Sequence, residues 1–191
     1  MKTVYQTGIK YYFNKISLKK KIRPVNRLDK DTSGIVIFAK NEYIQECLIK
    51  QMKNKLLKKE YIAICEGIFN NNEKIRTINA PIARKENSII ERCVNPNGDK
   101  SITHYEVIKE NDKYSLLKIN LETGRTHQIR VHLSYINHPI IGDTLYGHSS
   151  DIITRQALHA YKVSFVHPIT KKYVSFIAEL PLDMKKITEK F

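Results

Sequence analysis

The sequence predicts a single α+β domain, in which a mixed, mainly antiparallel β-sheet core carries flanking helices. Three observations support this fold class. Several segments are rich in β-branched and aromatic residues, two stretches repeat apolar residues at helical spacing, and no long Pro-, Gly- or Ser-rich linker divides the 191 residues. A chain of this length suits one domain, so we expect residues 1–191 to form one.

The first third of the chain predicts a strand, a helix and a second strand. Residues 35–39 form a short apolar run of the kind found in buried strands. Asn41 is a suitable helix N-cap, and apolar residues recur at helical spacing from Ile44 to Leu56. Residues 61–65 predict the next strand, so this part of the chain is expected to alternate between the two element types.

The remainder predicts further strands and one short helix. Thr126 is a candidate N-cap for a helix whose apolar side includes Ile129 and Leu133, and Asn137 can end it in the left-handed conformation. Residues 70–100 carry a weaker pattern. The strands are expected over residues 89–94, 103–108, 114–121, 158–166 and 173–178, with a turn at 95–99 and a hairpin joining 103–108 to 114–121.

The charge of the chain favours a polyanionic partner. The 33 Lys and Arg residues against 19 Asp and Glu residues give a formal net charge of +14, and most of the excess falls in residues 1–60. A lysine-rich composition from an AT-rich genome is the alternative explanation. A protein of acidic membrane surfaces is disfavoured, because no amphipathic helix with aromatic anchors is evident.

The sequence also indicates the cellular compartment of the protein. No apolar stretch approaches the roughly 18 residues of a membrane span, and residues 1–6 show no apolar core followed by a cleavage site, so secretion is not expected. The three cysteines are widely spaced and fit neither a disulfide framework nor a Cys-x-x-Cys zinc pair. We therefore expect a cytoplasmic protein that does not bind a membrane.

Three polar segments are candidates for chemistry. In the first, Arg27 lies two residues before Asp29 and can keep that carboxylate ionised, although the local pattern favours Asp29 no more than Asp31. In the second, Arg130 projects from the predicted helix and could bind phosphate or pair with a carboxylate. In the third, Tyr61 at a strand start could stack on a nucleobase or could simply pack.

A metal site is not indicated by these segments. His127 and His132 are five residues apart, whereas two zinc-binding imidazoles on one helical face are usually four apart. No glycine-rich phosphate loop and no nucleophile–base–orienter pattern is evident either. The polar face of the second segment is also compatible with a simple solvated helix surface.

Taken in order, the motifs resemble those of the RluA-type pseudouridine synthases. The first family motif, His-Arg-Leu-Asp-x-x-Thr-Ser-Gly, corresponds to Asn26–Gly34, with Asn in place of His. A Lys-x-Tyr-x-Ala motif corresponds to residues 59–63, and the longest match runs from Thr123 through Tyr146 and Gly147. A last match begins at Leu158, so the resemblance covers about residues 24–180.

The resemblance implies the isomerisation of uridine to pseudouridine in structured RNA, most of all ribosomal RNA of the large subunit and otherwise tRNA. It implies that Asp29 is the catalytic carboxylate, as nucleophile or as base, that Arg130 pairs with it, and that Tyr61 stacks on the target base. Arg27 would fill the space left by the extruded nucleotide. The residues expected to bind RNA are Arg27, Arg125 and His127, together with Lys50, Lys53 and Lys59 of the basic first sixty residues.

The same resemblance implies no cofactor and no metal, and we expect a monomer. Only 28 residues precede Asp29, and the strand that the family carries upstream is not visible in them. The chain is therefore expected to be a catalytic domain shortened at its N-terminus, without a separate RNA-binding domain. A catalytically silent, RNA-binding remnant of such an enzyme is the alternative.

Overall fold

A computed structural model of the chain describes residues 23–69 and 75–191, together with Lys15 and Lys21. The chain forms two compact units. One consists of Met1–Arg27, Val36–Leu57 and Ser164–Val174, and the other of Leu28–Ile35, Lys58–Val163 and Ser175–Phe191. The expectation of a missing N-terminal strand concerns residues outside the described ones. That residues 1–191 form a single domain stays a prediction.

The described residues contain eleven strands and three helices, which confirms the predicted α+β class. In chain order they are β1 (Arg23–Pro24), β2 (Ser33–Gly34), β3 (Phe38–Ala39), α1 (Glu42–Lys53), β4 (Lys58–Glu66), β5 (Ile75–Asn79), β6 (Ile82–Arg84), β7 (Arg92–Val94), β8 (Ile102–Glu110), β9 (Tyr114–Leu121), α2 (Gln128–Tyr135), β10 (Leu158–Val166), β11 (Tyr173–Ile177) and α3 (Leu182–Thr188).

The first unit contains α1 and the antiparallel pair β1–β3. The predicted cap is confirmed, because the amide of Ile44 donates a hydrogen bond of 2.9 Å to the Asn41 side chain. The helix ends at Lys53, however, and Leu56 beyond it is exposed. Leu48 is the buried residue of this helix, so its apolar stripe is shorter than the sequence predicted.

The strand expected over residues 35–39 is wrong in part. Only Phe38 and Ala39 of that run are in a strand, β3, and the residues just before the run form β2. Strand β2 pairs in parallel with β10, whereas β3 pairs with β1. Since the chain passes from one unit to the other between Ile35 and Val36, no single ladder can include the whole run.

The larger sheet has the strand order β11-β10-β4-β9-β8-β5, and β2 pairs with β10 beside this path. Most of its residues belong to the second unit. The predicted hairpin is confirmed as β8 and β9, which pair antiparallel from Thr103↔Leu121 onward. Central strand β4 pairs with β9 from Glu60↔Asn120 to Glu66↔Tyr114. Ala63, Ile64, Leu117 and Ile119 on these strands are fully buried.

The strand expected over residues 89–94 is shorter in the structure. Only Arg92–Val94 form β7, which pairs with β6. Ile89 and Ile90 are exposed, so their apolar character does not mark a buried strand. The turn expected at residues 95–99 is confirmed by a hydrogen bond of 2.9 Å from the Gly98 amide to the Asn95 carbonyl.

Gly34 fixes the segment that carries Asp29 against β10. Its φ of +115° suits glycine, and a Cβ placed there would lie 2.3 Å from the carbonyl oxygen of Ala160. The next amide, of Ile35, donates to that same carbonyl at 3.0 Å. The backbones approach so closely that the parallel pairing of β2 with β10 requires glycine at this position.

We expect Gly34→Ala to lower the free energy of unfolding by at least about 2 kcal/mol, since strained backbone alone costs roughly 1–3 kcal/mol and the clash adds to it. Urea denaturation measures this. Gly124→Ala is the matched control, because no atom lies within 4 Å of a Cβ built at Gly124. Equal stability of the two variants would contradict the prediction.

Candidate active site

Asp29 lies in a segment held by several side chains of the second unit. The carbonyl of Asp29 accepts a hydrogen bond of 3.1 Å from the Thr32 amide, which closes the turn. The Ser33 hydroxyl lies 2.8 Å from His159 Nδ1, and Gln156 Nε2 donates to the Thr32 hydroxyl at 3.1 Å. The Thr-Ser-Gly part of the motif therefore anchors the loop that presents the carboxylate.

The structure distinguishes Asp29 from Asp31, the two candidate carboxylates between which the local sequence pattern did not decide. The Asp31 side chain is about half exposed, and its partner is the exposed Lys30, 3.8 Å away. The Asp29 side chain is 21% exposed, and its Oδ1 lies 4.0 Å from Nε2 of His127. Asp29 is thus the carboxylate of this loop that lies beside a largely buried ionisable side chain from outside the loop.

Helix α2 begins one residue later than the sequence predicted. His127, not Thr126, is its N-cap, with a left-handed φ of 57° and without a capping hydrogen bond from its side chain. Its imidazole is therefore free to contact other groups. Asn137 has a φ of 63° just beyond the helix, which confirms the expected left-handed end.

Arg130 of α2 is buried and forms a bidentate ion pair with Asp143. The Arg130 Nε–Asp143 Oδ2 and Nη2–Oδ1 distances are both 2.7 Å. Burial acts to lower the pKa of Arg130, but the hydrogen bonds and charge of Asp143 outweigh it, and the pKa is raised. The interpretation of this face as a solvated helix surface is therefore wrong.

The pairing of Arg130 with Asp29 takes a less direct form than the resemblance implied. The hydrogen bonds of the guanidinium go to Asp143, and Asp29 interacts with Arg130 through its charge. Asp143 also accepts backbone hydrogen bonds from Leu145 at 3.1 Å and Tyr146 at 3.2 Å. The acidic partner thereby fixes both the arginine and the loop that follows it.

Tyr61 of β4 borders the same carboxylate from the sheet. It is 6% exposed, and burial together with the nearby charge of Asp29 raises the pKa of Tyr61 to about 12. The phenol therefore stays protonated near neutral pH. The second unit thus brings Tyr61 and Arg130 within electrostatic reach of the Asp29 carboxylate.

Tyr146 links several of these side chains, and sequence reasoning assigned it no role. Its hydroxyl accepts a hydrogen bond of 2.8 Å from the Arg92 amide and lies 2.8 Å from His127 Nδ1. The Arg130 guanidinium carbon lies 5.0 Å from the centre of the Tyr146 ring, in cation–π geometry. The Gly-Asp…Tyr-Gly stretch, residues 142–147, was the available signal.

The remaining predicted RNA-binding residues divide between the units. Arg27, Lys50 and Lys53 are exposed and belong to the first unit, whereas Lys59 and Arg125 belong to the second. Burial lowers the pKa of Lys59. Arg125 is exposed, and its guanidinium lies 3.4 Å from the Asp99 carboxylate.

A polar cavity of about 480 Å³ lies beside the start of α2 in the second unit. Arg84, Arg92 and Arg125 line it, with Asp99 as the acidic member. Arg92 uses its guanidinium to hold the carbonyls of Ile90 and Glu91. Arg84 makes no side-chain hydrogen bond or ion pair with any other residue that the structure describes, so its charge is available to a ligand.

The described ranges contain neither a cluster of metal-binding side chains nor a membrane-spanning helix. In residues 23–69 and 75–191, no three His, Cys, Asp or Glu side chains lie close enough together to hold a metal ion. In that same part of the chain, no helix has the length and apolarity needed to cross a bilayer.

Comparison with solved structures identifies the fold as that of a pseudouridylate synthase domain. Human RNA Pseudouridylate Synthase Domain Containing 1 superimposes with a TM-score of 0.77 at 25% identity, covering 97% of this chain and 84% of that protein. A model of the family described as RNA pseudouridylate synthase matches residues 4–135. The chain belongs to this family, as its motifs indicated.

Curated bacterial relatives of the chain are also named as RNA pseudouridine synthases. The uncharacterized RNA pseudouridine synthase YjbO of Bacillus subtilis (strain 168) is 45% identical over 180 residues, which are 94% of this chain and 63% of YjbO. Ribosomal large subunit pseudouridine synthase D of Haemophilus ducreyi is 36% identical over 193 residues, covering 94% of this chain and 58% of that enzyme. The chain thus spans a little over half the length of these relatives.

Proposed function

We propose that this chain isomerises uridine to pseudouridine in structured RNA. Membership of the family supports the reaction, and one observation carries the assignment to a site: a partly buried Asp29 carboxylate lies beside His127, with the phenol of Tyr61 and the guanidinium of Arg130 in electrostatic contact. Asp29 is the proposed catalytic carboxylate, as nucleophile or as base, and Tyr61 the proposed stacking partner of the target base.

The chemistry of the proposed reaction matches these groups. The C1′–N1 bond of uridine breaks, the freed uracil turns, and a C1′–C5 bond forms while the C5 proton leaves to solvent and N1 takes up a proton. No electrons are gained or lost overall, so the balance requires no redox cofactor. A base inside a helix must first leave the stack, at a cost of roughly a few kcal/mol, and stacking on an aromatic ring recovers about 1–3 kcal/mol.

Arg130 has an electrostatic role in this proposal. Its charge is held within reach of Asp29 by the bidentate pair with Asp143, at a position that is 7% exposed. A fixed positive charge favours the ionised carboxylate when RNA covers the site and excludes water. Asp143 thereby sets where the positive charge of Arg130 lies.

Release of tritium from C5 of uridine tests the activity. Large-subunit ribosomal RNA transcribed with C5-tritiated uridine is incubated with the purified chain, and tRNA transcripts serve as the second substrate. We expect release from ribosomal RNA, because one group of relatives is named for the large ribosomal subunit. Binding without release from either RNA would favour the alternative, a catalytically silent RNA-binding remnant.

The RNA-binding surface of the second unit is proposed to include the cavity lined by Arg84, Arg92 and Arg125. Its lining carries three guanidinium groups against the single carboxylate of Asp99, which gives it a net positive charge. Guanidinium groups suit phosphate because their planar donors match its oxygens. The exposed Arg27, Lys50 and Lys53 are proposed to add sequence-independent affinity from the first unit.

Arg84→Gln is expected to weaken RNA binding and to reduce the salt slope of log K by about one unit, as removal of one phosphate contact does. Fluorescence anisotropy with a labelled ribosomal RNA transcript at several salt concentrations measures both. Lys109→Gln is the matched control and removes an exposed charge at the far end of β8. It lies seven residues, roughly 20 Å, from Ile102, whose amide donates to Thr123 beside the cavity. Equal slopes for the two variants would exclude Arg84 from the interface.

A further inference from the structure

The hydrogen-bond partners of the Tyr146 hydroxyl favour one tautomer of His127. A backbone amide can only donate, so the Tyr146 hydroxyl must accept from Arg92 N at 2.8 Å. The same hydroxyl has one proton, and His127 Nδ1 lies 2.8 Å away. If Nδ1 carried the proton instead, the phenolic hydrogen would lack an acceptor among the residues that the structure describes. All of these groups have partners within the described residues only when the hydroxyl donates to a bare Nδ1.

A bare Nδ1 leaves the other ring nitrogen of neutral His127 protonated. Burial outweighs the charge of Asp29 and lowers the pKa of His127, so the ring is neutral near pH 7. Its single proton is then on Nε2, the atom that lies 4.0 Å from Asp29 Oδ1. The charged groups that act on His127 are Asp29 on the loop, Arg92 on β7, Arg130 on α2 and Asp143 after it.

We propose that Tyr146 and His127 are positioning residues for Asp29, connected in the order Arg92 amide, Tyr146 hydroxyl, His127 imidazole and Asp29 carboxylate. The Nε2–H group is a donor that closes on the carboxylate directly or through one water when RNA fills the site. It holds one oxygen of Asp29 in place without transferring a proton to it. This role rests on the proposed function, and it differs from the surface RNA contact that the sequence suggested for His127.

Nitrogen-15 NMR of the free protein tests the tautomer without any substrate. Chemical shifts of the ring nitrogens distinguish a bare from a protonated nitrogen, and we expect a bare Nδ1 and a protonated Nε2 in His127. Tyr146→Phe removes the donor and should give a mixture of tautomers. A protonated Nδ1 in the unaltered protein would overturn the proposal, whether or not the chain is active.

His132 on the same helix is an internal control for this experiment. Its Nε2 lies 2.9 Å from the Ala80 carbonyl, which can only accept, so that nitrogen must be protonated independently of Tyr146. The His132 signals should therefore be unchanged in Tyr146→Phe. A change in both histidines would instead show a general disturbance of the second unit, and Tyr146 would then have no specific effect on His127.

Two substitutions of His127 test the positioning role in the reaction. The amide nitrogen of Gln reaches the place of Nε2, whereas that of Asn reaches only the place of Nδ1. Asn is the better residue for the left-handed φ of 57° at this position. A purely structural role therefore predicts that His127→Asn is the milder change, and a positioning role predicts that His127→Gln is.

Single-turnover tritium release from the ribosomal RNA transcript provides the readout. We expect Tyr146→Phe and His127→Asn to lower the rate constant about 10- to 100-fold at unchanged RNA affinity, and His127→Gln to retain most of the rate. Wild-type rates in Tyr146→Phe, or a better rate in Asn than in Gln, would overturn the positioning role. If the unaltered chain released no tritium, the proposed function would fail and this role with it, while the NMR result would still report the tautomer.

Discussion

Asp29→Asn is expected to reduce pseudouridine formation by roughly 10³-fold or more while RNA affinity stays within about twofold. The amide has the shape of the carboxylate but neither its charge nor its nucleophilicity, and loss of a group that reacts or moves a proton costs this much. Folding should be preserved, since the Asp29 side chain is partly exposed and its hydrogen bond to Thr32 is made by the backbone carbonyl. Tritium release and anisotropy measure the two quantities.

Asp31→Asn is the matched control for this experiment. Asp31 lies on the same loop, with a left-handed φ of 66° that Asn tolerates well, and its exposed side chain pairs weakly with Lys30. We expect near wild-type release from this variant. Loss of activity in both variants would attribute the effect to the loop as a whole, and normal release in Asp29→Asn would exclude Asp29 as the catalytic carboxylate.

The parts of the fold that the sequence predicted correctly have a local cause. A cap such as Asn41 depends on the next three residues, and the β8–β9 hairpin and β10 are long, regular segments with clear patterns. The parts that it missed depend on distant partners. Strand β2 exists because Gly34 allows close approach to Ala160, and the short pair β6–β7 has little pattern of its own.

The candidate site shows the same division. Asp29, Tyr61 and Arg130 could be proposed from the sequence because they stand in motifs that can be read along the chain. The roles proposed for Asp143 and Tyr146 require three-dimensional geometry, since the partner of a buried arginine cannot be identified from spacing. The left-handed N-cap at His127 also escaped prediction, because the sequence offered the better capping residue Thr126 one position earlier.

The largest effect on stability is expected from Asp143→Asn. Asp143 is 1% exposed, and the substitution removes its charge while Arg130, 7% exposed, keeps its own. Breaking a buried ion pair in this way costs roughly 3–5 kcal/mol, because an uncompensated charge remains in a poorly solvated place. We expect the free energy of unfolding, measured by urea denaturation, to fall by about 3 kcal/mol. The loss stays at this end of the range because Asn can still accept the backbone hydrogen bonds of Leu145 and Tyr146.

Asp183→Asn separates the effect of burial from that of the hydrogen bonds. Arg155 and Asp183 are also joined by two hydrogen bonds, of 2.8 and 2.9 Å, but the Asp183 side chain is 39% exposed. Water screens the charge that this substitution leaves on Arg155, so we expect the free energy of unfolding to fall by only about 1 kcal/mol. Equal losses from the two variants would show that hydrogen-bond geometry, not burial, determines the cost.

A double substitution shows whether the uncompensated charge is the cause. Arg130→Met combined with Asp143→Leu removes both charges and keeps apolar volume, and such replacements of buried ion pairs are often neutral or stabilising. We expect the double variant to be more stable than Asp143→Asn alone and yet to lack tritium release, because the positive charge near Asp29 is gone. A loss of stability in the double variant equal to the sum of the losses in Arg130→Met and Asp143→Leu alone would contradict this explanation. Retained tritium release would exclude Arg130 from the reaction. A stable but inactive double variant would mean that the buried pair serves the chemistry of Asp29 more than the stability of the fold.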